Sequence, residues 1–202
     1  MGNPAGHEDA PEPGPADPAG RLLADLERWM ADAKVDDAAR ARSREGWLRR
    51  QAEEEATLNG ALADLAEHTT AVTVTTTSGR HHPGRIVAVG QDFCVLRTSG
   101  GTLILIPAAA VSSVRVPPDR QRTEATGSRP APVDATLHGV LAGLAGDRRR
   151  VLVALHGNAE VLSGELRSVG IDVLTLRLDG EPATTVYLRS ASVSEVSLFG
   201  SG

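Results

Sequence analysis

Lysine is almost missing from this 202-residue chain: Lys34 stands alone, and the other twenty basic residues are arginine. That scarcity excludes two classes of chemistry, because neither a phosphate-cradling GxxxxGK[ST] loop nor a lysine Schiff-base site can be written here. Cysteine is equally scarce. Cys94 has no second thiol to pair with, so no internal disulfide is expected, and its place in the apolar run FCVL reads as a small buried hydrophobe. With two Trp, one Tyr and two Phe, the chain has few rings on which bases can stack. No stretch reaches the ~18 to 20 apolar residues of a membrane-spanning helix, and the Pro-rich acidic start lacks the basic and apolar regions of a secretory signal. A cytoplasmic protein without a membrane partner is expected.

Catalytic constellations are also lacking. His81 and His82 are neighbours whose side chains diverge in an extended segment, with no third ligand at metal-like spacing, and they read as solvated loop histidines. His68, His138 and His156 have no orienting partner of the kind a triad needs, and HGNAEVLSGE has no glycine-x-serine-x-glycine elbow. The chain therefore reads as not an enzyme, with no cofactor and no metal. Its net charge of −5 lies mainly in residues 1–20, which hold four acids and no base. Neither half of the remainder is basic enough for the electrostatic term that dominates nucleic-acid affinity.

What the chain does have is repetition. TLNGALADLAEHTTAV, from Thr57, returns as TLHGVLAGLAGDRRRV, from Thr136. The register continues through Gly84/Gly164, Gly90/Gly170, Asp92/Asp172, Leu96/Leu176 and Val114/Val196. Each copy reads as one helix followed by five short strands with turn signals between them. Gly84 and Gly164 mark points where a bent strand passes close to its neighbour, and Asp92 and Asp172 follow a glycine in a short turn, where aspartate bonds its own backbone. The fold class is thus mainly β with N-terminal α, as two tandem five-stranded small barrels, each preceded by a helix. The boundaries are a disordered acidic Pro/Gly-rich tail (1–16), a helical arm (17–56), unit one (57–116), a flexible linker (117–135) and unit two (136–202). In the arm, a first helix runs to about Lys34. A second and longer one carries Leu48, Gln51, Glu55, Leu58, Leu62 and Leu65 as a seam, with Trp29 and Trp47 as its apolar contacts.

A helix and five strands, with a glycine entering strand two, an aspartate before strand three and a final apolar–Ser–x–Val strand, resemble the Sm-like fold. GRIVAVGQDFCVL is similar to the first Sm motif, and IPAAAVSSVRVP to the second as bacterial RNA chaperones of that family carry it. Those chaperones place a lysine and a histidine where this chain has Ala108 and Ala109, and unit two has Ser190 and Ala191 there. The whole layout also resembles a group of actinobacterial proteins with a helical arm and two Sm-like units. The resemblance implies rings built by pairing the fourth strand of one unit with the fifth of the next. TLILI, TVYLR, VSSVRV and VSEVSL would supply those edges, pairing the two units within one chain, joining three chains into a six-barrel ring, or docking a protein partner. RNA binding is the alternative. Its candidate contacts are Arg148, Arg149 and Arg150, whose planar forks suit phosphate, and Tyr187, which falls between two apolar positions and faces outward. The arginines Arg40, Arg42, Arg44, Arg49 and Arg50, diluted by Glu45 and Glu53 to Glu55, read as one solvated helix face.

Overall fold

The computed structural model describes residues 29, 30, 34, 40–118, 131–157 and 160–198. The expected tail, most of the first arm helix and the middle of the linker lie outside them. The chain divides into a unit of residues 1–48 and a body of residues 49–202. In the first unit, residues 29, 30, 34 and 40–48 are helical. Trp29 and Trp47 are 68% and 57% exposed, which corrects their reading as packed contacts of a seam. In the body, helix continues to residue 54 and then stops, whereas the leucine spacing predicts one long helix through Leu65. Thr57 explains the break. Its backbone is extended and its hydroxyl accepts the Gly60 N–H at 3.1 Å, so it caps a separate helix, α1 (Leu58–Glu67).

Five strands follow α1: β1 (Ala71–Thr76), β2 (His81–Val89), β3 (Phe93–Arg97), β4 (Leu103–Pro107) and, after a 3-10 turn at Ala108–Ala110, β5 (Val111–Arg115). The second repeat copies this as α2 (Leu137–Gly146), β6 (Arg150–Leu155), β7 (Val161–Val169), β8 (Val173–Leu178), β9 (Thr185–Arg189), a 3-10 turn at Ser190–Ser192 and β10 (Val193–Leu198). Thr136 repeats the cap of Thr57, accepting from Gly139 N–H at 3.2 Å.

The ten strands form one antiparallel sheet in the order β5-β1-β2-β3-β4-β10-β6-β7-β8-β9. The expectation of two separate five-stranded barrels is corrected here. β4 of repeat one pairs with β10 of repeat two, so the halves share a continuous hydrogen-bonded sheet. Two cores line it. Leu62, Val72, Val74, Ile86, Leu96, Ile104 and Ile106 make one. The other gathers Leu141, Val151, Val153, Leu166, Leu174, Leu176 and Val196, and it also takes in Phe93 and Leu105 from repeat one. β3 and β4 are therefore buried on both faces, with alternate side chains serving alternate cores.

The two strand glycines are required by backbone proximity. A Cβ on Gly84 would stand 2.5 Å from Arg97 O, and one on Gly164 would stand 2.4 Å from Arg177 O. Gly164→Ala is expected to lower the urea midpoint at unchanged slope, a loss of about 1–3 kcal/mol, as for other overpacked sites. Cys94 sits in the first core with no exposed surface, and burial pushes its thiol from the ordinary 9.0 up to about 12. In the folded protein a thiol-specific disulfide reagent at pH 8 is expected to leave Cys94 unmodified, and to label it on unfolding. Between pH 9 and about 12 the unfolded chain ionises this thiol and the folded chain does not, so its contribution to stability is lost as pH rises through that window.

Candidate functional site

The joint between the repeats is the most elaborately built part of the body. Val196 stands opposite Leu105, Ser197 opposite Ile104 and Leu198 opposite Leu103. Every residue from Val193 to Val196 is buried. At one end, Asp92 accepts the Leu137 N–H at 2.7 Å, so the turn aspartate of repeat one serves the first turn of α2 rather than its own backbone. Gln91 N–H donates to Ala135 O at 2.9 Å, and its side chain donates to Asp134 at 2.6 Å.

At the other end lies a buried carboxylate. Glu195 of β10 is 2% exposed and all its partners come from repeat one. Arg80 Nε lies 2.8 Å from Oε1, His82 Nε2 lies 2.5 Å from Oε2, and the Thr76 hydroxyl donates to Oε2 at 3.4 Å. A carboxylate in this position needs such partners, because burial without them is costly. His82, read from the sequence as a solvated loop residue, is 7% exposed; the segment is β2 rather than loop, and alternation turns His82 inward while His81 stays outside beside Thr75. Thr77 and His156, equivalent positions of the two repeats, also meet through Oγ1 and Nδ1. The sequence reading missed Glu195. Its signal is the lone acid in VSEVSL where the other copy has VSSVRV.

The outer edges of the sheet are the same two kinds of edge. β5 is the counterpart of β10 and β9 the counterpart of β4, and among the described residues no strand pairs with their outer sides. Superposing the registers places Tyr187 at the position of Leu105 and Ile171 at that of Gln91. Leu105 is 2% exposed in the joint, whereas Tyr187 and Ile171 are 73% and 99% exposed. On the other edge, Val114 and Ser113 of β5 occupy the places of the buried Val196 and Glu195. Leu58, first residue of α1, is also exposed.

Arg148, Arg149 and Arg150, the arginines named from the sequence, are all exposed where the chain leaves α2 and enters β6. Arg148 takes a left-handed backbone (φ 52°) as the chain leaves α2, with its N–H bonded to Ala145 O. Arg149 N–H bonds to Leu144 O. Arg150 pairs with Asp179 at 2.5 Å. The Ser163 hydroxyl, 2.7 Å away, and Arg150 together hold the Asp179 carboxyl below its ordinary range. Tyr187 is on β9, with β7 and β8 between it and Arg150 on β6. Between the repeats, a cavity of about 570 Å³ is lined by Ala108, Ala109, Ser190 and Ala191, together with His138 and His156. Among the described residues no group of three or more His, Cys, Asp or Glu is placed to hold a metal, and no helix is long and apolar enough to cross a membrane. Comparisons of the chain with protein-family models, with curated proteins and with solved structures found no match.

Proposed function

We propose that this protein is a non-enzymatic assembly module of Sm-like design, which associates with further copies of itself by repeating between chains the joint it makes within one. The observation that carries this reading is the exposure of Tyr187 at the position where Leu105 is buried. An outward aromatic on an unpaired strand edge marks a surface built to be covered. The rest of the edge agrees with it. Asp172, counterpart of the helix-serving Asp92, lies in the turn before β8, and its carbonyl accepts the Ser190 N–H at the end of the outer strand β9. Docking β9 of one copy on β5 of the next, in the register of the internal joint, sets Tyr187 opposite Val114.

Such a joint is head-to-tail, so repetition gives a closed ring or an open filament. Light scattering on the eluting full-length chain is the test. The expected mass is a concentration-dependent multiple of 21.1 kDa, and a strict monomer up to hundreds of micromolar would sink the reading. The alternative of RNA binding has less to rest on, since the cavity between the repeats is lined without an arginine or lysine.

A further inference from the structure

Repeat one carries an arginine pair that repeat two does not. Arg85 of β2 stands directly opposite Arg97 of β3, and Arg115 of β5 lies on the same face, opposite Thr73 in the adjoining row. All three are exposed, on the side of the sheet away from Val72, Val74, Ile86 and Leu96. Residues directly opposite across antiparallel strands have Cβ atoms roughly 4.5–5.5 Å apart, and like charges there are destabilising. Among the described residues, none of the three has an ion-pair partner, whereas Arg80, Arg150 and Arg167 each have one.

The second repeat shows that the scaffold does not require this arrangement. At the same register Glu165 faces Arg177, and Glu165 also takes Arg167 at 2.7 Å. Ser197 holds the position of Arg115. Repeat two thus sets a carboxylate among the arginines of this face, where repeat one sets only arginine. The unsatisfied pair lines a groove of about 740 Å³, within the size range of small-molecule sites, together with the hydroxyls of Thr98 and Ser99 and the apolar surfaces of Val87 and Pro117.

We propose that this groove binds a small phosphate-bearing organic ligand. The phosphate lies between the Arg85 and Arg97 guanidinium groups, whose planar forks match its oxygens, and the apolar part of the ligand lies against Val87 and Pro117. A dianion between them offsets the like-charge repulsion of the two guanidinium groups. The groove has no aromatic ring in its lining, so it lacks the stacking platform of a single-stranded nucleic-acid site.

Calorimetric titration of the full-length protein with phenyl phosphate, inorganic phosphate and benzyl alcohol tests this. Phenyl phosphate is expected to bind about tenfold or more tighter than inorganic phosphate, and benzyl alcohol not at all. Arg85→Glu writes the pair of repeat two into repeat one, so it is expected to fold with an unchanged or higher melting temperature and to lose binding by at least about tenfold. Arg85→Gln, which only removes charge, provides the same reading should Arg85→Glu melt early. Absence of phenyl phosphate binding at millimolar concentration, or binding undiminished in both variants, overturns the proposal. So does binding of an oligoribonucleotide on this face that phenyl phosphate does not displace.

Discussion

Replacing Glu195 by alanine is expected to destabilise the body by about 3–5 kcal/mol, the range for removing one partner of a buried charge pair. The carboxylate is 2% exposed and holds Arg80, His82 and Thr76 of the other repeat, so its loss leaves the buried His82 without its hydrogen-bond partner and opens space beside it. Against a total stability of about 5–15 kcal/mol for a typical domain, that is a large share, and urea unfolding followed by circular dichroism reads it directly. The duplication supplies the control. Repeat one has Ser113 at the position of Glu195, and repeat two has Leu162 at the position of His82. The double variant His82→Leu/Glu195→Ser therefore exchanges the pair for residues the scaffold already tolerates. It is expected to cost less than the two single changes added together, by about 1 kcal/mol or more. Additive losses would mean that the pair does not couple the repeats.

Tyr187→Lys is expected to reduce the assembled species to a 21.1 kDa monomer while leaving the melting temperature nearly unchanged. A charge on an unpaired strand edge is a common way in which sheets block edge-to-edge pairing, and at 73% exposure Tyr187 contributes little to its own core. The complementary result comes from a cross-link. With Val114→Cys and Tyr187→Cys in one chain, the thiols stand on opposite edges of the sheet, and head-to-tail docking sets them opposite each other between chains. Mild oxidation is expected to give a ladder of disulfide-linked multiples on a non-reducing gel. Monomer alone in that lane, with Cys94 buried and inert, would exclude this register.

Much of this was legible in the sequence, and the part that was not has a common cause. The repeat register, the five strands per copy and the close approach at Gly84 and Gly164 follow from turn chemistry and from alternation, which are local. The joint depends on pairing between residues roughly ninety positions apart, and propensity does not report that. A signal was nevertheless present. FCVL and LILI in repeat one are unbroken apolar runs, as strands buried on both faces require, whereas their counterparts VLTLRL and TVYLR alternate. Read together, they mark the buried edge and the free one. His82 was misread because SGRHHPG has the composition of a turn, and only the cross-strand pairing of Val74 with His82 places it in β2. The arginines at 148–150 are adjacent in the chain, whereas Arg85 and Arg97 are twelve residues apart and meet only in the sheet.

The sheet order also fixes when the fold can be completed. β10 is the last of the ten strands in chain order, yet it lies at the middle of the sheet, hydrogen-bonded to β4 on one side and to β6 on the other. During synthesis, repeat one emerges first and presents the apolar edge LILIP with nothing to cover it. The whole second repeat must follow before its covering strand exists. The unprotected interval is set by translation time rather than by folding speed. It is the period in which two nascent chains on one message could join through the wrong pair of edges.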